Sequence, residues 1–335
     1  MSRIARRIQQ GQVAEAPRFD PEQCFLETAL RGRTARKARA HLRRMEPVVV
    51  FTPRWGGVGR FMEDLALDLA VGEPAVGCRT VGFEPLQGRP VGECWQFVHH
   101  LLSQLGQRGW VPRAPTGIAD RRGFQWALEQ ALEEAHRSAP HRVALLAHGA
   151  EHLPVEILED LTMAWREYAE RHAGARRATL LLAGTTAAPW LHIGDAPRID
   201  LADYGEAEAA AAIVGRAGPL PLRHLERVAQ FTGGVPAAVE QVGAAARTQG
   251  GLPSRAEDLV AALGTLGDEM RGAVDIVAAH DHLSDRLHDL LSGEPQSVAS
   301  EVDEPLVMAG LARTVRTPAG PATTLRAPAI ATLVG

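Results

Sequence analysis

One junction constrains this chain more than any other. Val48-Val-Val-Phe-Thr52 is an unbroken apolar run, the pattern of a strand buried on both faces. Pro53-Arg-Trp-Gly-Gly-Val-Gly-Arg60 follows, and then an amphipathic stretch from about Phe61 to Ala70. Glycines tolerate the tight backbone that a strand needs to turn straight into a helix. Such a turn leaves the first N–H groups of the helix pointing outward, where the helix dipole favours an anion.

The rest of the chain repeats the alternation. Apolar runs at Ala75 to Phe83, Val143 to Ala147, Ala178 to Ala183 and a short one at Arg198 to Leu201 predict four more strands. Helical patterns lie between them at about 92–105, 121–138 and 155–173. Strands alternating with helices predict an α/β fold with a parallel five-stranded sheet over 46–203. After residue 204 strand patterns stop, and helices are expected at 205–216, 222–231, 235–248, 255–264 and 268–279, a helical lid over 204–280. From 281 to 335 the pattern predicts a helix at 283–292, a second near 296–301 and a third at 303–311. Two short strands around Thr317-Pro-Ala-Gly-Pro321 follow, an order that suggests a winged helix. Residues 1–45 form a basic tail and helices.

The Gly-rich turn is a departure from a known pattern. A working phosphate loop reads G-x-x-x-x-G-K-[ST]. Here Gly56, Gly57, Val58 and Gly59 fall where that loop wraps phosphates, but Arg54 takes the first glycine position, Arg60 the lysine and Phe61 the hydroxyl that holds Mg2+. Arg is not a simple replacement for Lys. The third strand would normally end in a metal-binding Asp, and His148 stands there, followed by Gly149 and then Glu151. Loss of both metal groups points to lost hydrolysis. His148-Gly-Ala-Glu-His152 also fits the zinc signature H-x-x-E-H, which needs a helix to bring both histidines to one face. Gly149 and Pro154 favour a loop.

The order of these segments resembles the STAND branch of AAA+ ATPases, over residues 46–335. The loop looks like their GGVGKT with Arg60 and Phe61 departing. Leu181-Leu-Ala-Gly-Thr-Thr186 is similar to the strand that ends in their γ-phosphate sensor, which would be Thr185 or Thr186. Phe231-Thr-Gly-Gly-Val-Pro236 looks like the G-x-P element of their lid, whose proline packs at the nucleotide. The resemblance implies a protein that binds ATP or ADP, here without Mg2+, and works as a regulatory or scaffolding subunit in a multiprotein assembly, beside an active ATPase or effector. It has two rivals, a DNA-binding loader or a transposition or defence regulator, and an active ATPase with unusual metal ligation by Glu63, Asp64 or Glu151.

Charge bears on partners. Net charge is −4, yet residues 1–45 carry eleven Arg/Lys against four Asp/Glu. Arg33, Arg36, Lys37, Arg39, Arg43 and Arg44 are the candidates for duplex DNA phosphates, although no aromatic platform lies beside them. The third C-terminal helix opens with Asp303 and Glu304, which argues against base reading there. Cys24, Cys78 and Cys94 lack metal-ligand spacing and fit a reducing cytoplasm. No apolar stretch is long enough for a membrane span.

Overall fold

The computed structural model describes residues 31–71, 73–86, 133, 136, 137, 142–185, 195–218, 221–253 and 255–334. The tail 1–19, the helix expected between it and Arg31, most of the expected helices at 92–105 and 121–138, Cys24, Cys94 and Thr186 lie outside the described residues.

The first half is built from α1 (Arg31–Arg43), β1 (Val48–Thr52), α2 (Val58–Val71), β2 (Gly77–Gly82), β3 (Val143–His148), α3 (Val155–Arg171), β4 (Ala178–Thr185) and β5 (Arg198–Asp200). The five strands form one parallel sheet in the order β2-β3-β4-β1-β5. Strand periodicity divides its apolar residues between two faces. Val49, Phe51, Leu145, Ala147, Leu180 and Leu182 meet Ile157, Leu161, Trp165 and Tyr168 of α3. Val48, Val50, Ala144, Leu146, Leu181 and Ala183 meet α1 and α2 through Ala38, Leu42, Phe61, Met62, Leu65 and Leu69. Both faces are therefore covered, which is why β1, β3 and β4 read as continuous apolar runs.

The second half continues with α4 (Glu206–Ala217), α5 (Leu222–Thr232), α6 (Pro236–Gln249), α7 (Ala256–Ala262) and α8 (Thr265–Ala278). Then come α9 (Asp281–Leu291), β6 (Gln296–Ser297), α10 (Ser300–Met308), β7 (Ala312–Thr317), β8 (Gly320–Leu325) and α11 (Pro328–Val334). One apolar cluster runs through both sets of elements, from Ile213 and Val239 to Leu306, Leu325 and Ile330. The strands β6, β8 and β7 form a small antiparallel sheet.

The helix expected near 296–301 is absent. Gln296 and Ser297 pair with β8 instead, and α10 starts only at Ser300. The carboxylate of Asp303 sets that start, accepting the Ala299 N–H at 2.7 Å and the Thr323 hydroxyl at 2.7 Å. It also pairs with Arg286 at 2.7 Å. Asp303 thus faces inward while Glu301 of the same turn stays exposed.

Candidate functional site

The Gly-rich turn sits at the carboxyl edge of the sheet, between β1 and α2. Trp55 adopts φ 60° and Gly57 φ 64°. At Gly56 a Cβ would lie 1.8 Å from Thr52 Oγ1 and 2.7 Å from the Pro53 carbonyl, so no larger residue fits that backbone. The N–H groups of Gly57, Val58, Gly59 and Arg60 have no acceptor among the described residues. They are the orphan donors of the first turn of α2 and form a concavity suited to an anion.

The carbonyl side of the same turn is fully engaged. Three successive carbonyls each receive a donor from a different part of the chain. Arg326, just after β8, donates Nη1–H to the Arg54 carbonyl. The Ala237 N–H, in the first turn of α6, donates to the Trp55 carbonyl at 3.1 Å. Arg31, at the start of α1, donates Nη2–H to the Gly56 carbonyl. Further contacts support each anchor. Arg326 is paired with Asp203 at 2.6 Å. Pro236 lies so close that a Cβ on Gly57 would be 2.8 Å from its Cβ. Arg31 also donates Nε–H to the Ala202 carbonyl at 3.1 Å and stacks on the Tyr204 ring at 4.5 Å. The turn is thus tied to the segment after β8, to α6 and to α1 by the chain's own donors.

The residues at the positions expected to hold a metal make other contacts. Phe61 is buried at 5% exposure within the apolar cluster under β1 and β4. Arg60 turns along the outer surface of α2, with Glu63 at 3.3 Å and Asp64 at 3.0 Å. Glu151 lies in a single helical turn, Ala150–His152, and its carboxylate accepts the Thr185 N–H at 3.1 Å. His148 ends β3 and donates Nδ1–H to Glu84 at 2.7 Å. Burial alone would raise the Glu84 carboxyl, but the hydrogen bond from His148 and the charges of His148 and His152 hold it below the usual carboxylate range. No group of three or more His, Cys, Asp or Glu suited to a metal occurs among the described residues. Mg2+ prefers an octahedron of hard oxygens, and a phenyl ring and an imidazole at the two key positions do not supply it. The unpaired N–H groups, by contrast, suit the phosphates of a nucleotide.

No protein-family model and no curated protein matches the chain. Among solved structures, it is 12% identical to a Walker-type ATPase of Pyrococcus abyssi, over 96% of this chain and 99% of that one, with a TM-score of 0.59. The chain shares the α/β fold of that Walker-type ATPase. A STAND protein with a tetratricopeptide repeat sensor from Pyrococcus horikoshii is 12% identical, over 89% of this chain and 41% of that one, with a TM-score of 0.44. The Thermotoga maritima RuvB Holliday junction branch migration motor is 13% identical, over 89% and 92%, with a TM-score of 0.46. At these identities the likeness concerns the fold.

Within this fold, the basic helix α1 is not a free arm. Thr34, Ala38 and Leu42, in register with Arg31, bury one face of it. Arg39 pairs with Asp68 at 3.1 Å, Arg43 donates to the Asp68 carbonyl at 3.4 Å, and Arg44 pairs with Glu46 at 2.9 Å. Arg33, Arg36 and Lys37 remain exposed with no acidic partner among the described residues. No helix among the described residues is long and apolar enough to cross a membrane. The sequence reading did not single out Arg31, Glu84, Asp203, Tyr204 or Arg326. Of these only Arg31 carried a local signal, its helical spacing from Thr34, Ala38 and Leu42.

Proposed function

We propose that this chain is a catalytically degenerate AAA+-like protein that binds ATP or ADP without Mg2+ and serves as a regulatory or scaffolding subunit of a larger assembly. One observation carries the reading: Phe61 is packed in the core and His148 replaces the metal carboxylate, while four N–H groups of the turn remain unpaired. A loop of this kind keeps electrostatic affinity for phosphate and lacks the metal that neutralises charge during phosphoryl transfer. The three-way anchoring of residues 54–56 supports a scaffold, because the chain's own groups fix the turn to three separate elements. The segment 281–335 is read as a winged helix on the strength of α9, α10 and the β7–β8 hairpin, and its inward-facing Asp303 favours packing over groove reading. A single-turnover experiment with protein in excess over Mg·ATP tests the reading. It expects no phosphate release above the protein-free rate; release that disappears in Arg60→Ala refutes it.

A second reading is favoured by one feature. Arg33, Arg36 and Lys37 share an exposed face at i, i+3 and i+4. Contact with duplex DNA through that face predicts salt-sensitive binding that the triple charge reversal removes. Absence of binding at low salt eliminates it.

A further inference from the structure

The mismatch between this loop and Mg2+ leaves open what balances the charge of a phosphate seated on it. Arg60, the expected cation, is occupied by Glu63 and Asp64 on the outer face of α2. Two other basic side chains border the unpaired N–H groups. At one end stands Arg31, only 8% exposed. Its Nε and Nη2 are spent on carbonyls, but its Nη1 has no hydrogen-bond partner among the described residues and lies 3.8 Å from the point where a Cβ on Gly57 would sit. At the other end stands His148, whose Nε2 lies 4.0 Å from the corresponding point on Gly59.

His148 is held by construction. Its Cα is paired in register with Gly82 across β2 and β3, and the Phe83 N–H donates to its carbonyl at 3.0 Å. Glu84 reaches it only because two neighbours lack a side chain. A Cβ on Gly82 would lie 2.2 Å from Glu84 Oε2, and one on Gly149 would lie 3.0 Å from Oε1. With Nδ1–H committed to Glu84, Nε2 is the nitrogen left to face the turn. A carboxylate behind an imidazole is also the arrangement that stabilises an imidazolium in front of an anion.

We propose that His148, backed by Glu84, takes the place of the metal ion beside this loop, so that nucleotide phosphates bind as the free anion through a protonated imidazole. This rests on the nucleotide-binding reading given above. Among the described residues the charged groups that face His148 are few. Glu84 lies on the turn after β2, and Glu151 and His152 on the turn after β3, with Glu151 engaged by Thr185. Arg60 on α2 is turned away. Among the described residues Glu84 is therefore the counter-charge of the ring, and the protonated ring binds phosphate more tightly than the neutral one.

The test measures ADP and inorganic pyrophosphate binding in EDTA at pH 6 and pH 8, for wild type, His148→Asn, His148→Lys and Glu84→Gln. A hydrogen bond to a charged group predicts at least about a tenfold advantage at pH 6 over the His148→Asn variant, and no advantage at pH 8. The asparagine variant also removes the ligand's own titration from the comparison. Lysine at 148 should bind tightly at both pH values, and Glu84→Gln should shrink the pH 6 advantage. Circular dichroism confirms that each variant is folded. Equal pH profiles for wild type and His148→Asn overturn this inference alone. Failure of folded wild type to bind either ligand at any pH overturns the nucleotide-binding reading as well.

Discussion

The guanidinium of Arg326 and the carboxylate of Asp203 form a bidentate pair, 2.6 and 2.9 Å, in which the two side chains are only 1% and 8% exposed. The pair joins the end of β8 to the chain leaving β5, and the same guanidinium reaches the Arg54 carbonyl of the Gly-rich turn. Burial would raise the Asp203 carboxyl, but the nearby charge and hydrogen bonds of Arg326, with Arg313 and Arg31 behind, hold it below its usual range.

Arg326→Ala leaves a buried carboxylate without its partner and should cost about 3–5 kcal/mol in denaturant unfolding. Asp203 also sets a sign for pH. A carboxyl with a depressed folded value adds stability that is fully present above its unfolded value, about 4, and is lost as pH falls through the lower folded value. Asp203→Asn should therefore unfold with a flatter acid limb than wild type below about pH 4. An unchanged acid limb would show that the pair contributes no such stability.

Phe61 fills space that a working phosphate loop gives to a hydroxyl. Phe61→Thr should lose about 2–4 kcal/mol, because it removes a ring from the cluster of Val48, Val50 and Leu65 and buries a hydroxyl there. Chemical denaturation measures this. A neutral or stabilising effect would mean that the ring is not part of the core.

Gly57 is where the turn meets α6. Gly57→Ala places a Cβ 2.8 Å from that of Pro236 on a residue with φ 64°. It should destabilise by about 1–3 kcal/mol and increase hydrogen exchange at Ala237, whose N–H is donated to the turn. Wild-type exchange at Ala237 in a folded variant would contradict the clamp.

Cys78 is half-buried on β2, and burial pushes its thiol up to about 11. At pH 8 that leaves it with roughly a hundredfold less thiolate than a free cysteine. In a Cys24→Ser, Cys94→Ser background, alkylation of Cys78 should be slower than that of a free thiol by about that factor. Rapid labelling of the folded protein would contradict it.

These residues also show what a sequence of this kind reveals. The strands β1, β3 and β4 were legible because both faces are buried, so apolar side chains run without interruption. β6 was not, because two polar residues have no period, and the register comes from β8. The turn at 54–61 could be placed from its glycines and the run before it. What surrounds it could not. Arg31 reads as one more arginine in a basic helix until its neighbours place Gly56 and Tyr204 beside it. Glu84 gains meaning only from the pairing of β2 with β3, and Arg326 from a contact 272 residues along the chain. Long-range geometry of this sort leaves no local pattern.

The central claim is that the loop accepts phosphate and has no use for a metal. The most direct measurement is the affinity for ADP by calorimetry, with Mg2+ present and with Mg2+ chelated, on the same folded preparation. The account predicts binding in EDTA at an affinity that Mg2+ leaves unchanged or weakens. Binding that requires Mg2+, or tightens tenfold or more when it is added, would contradict it.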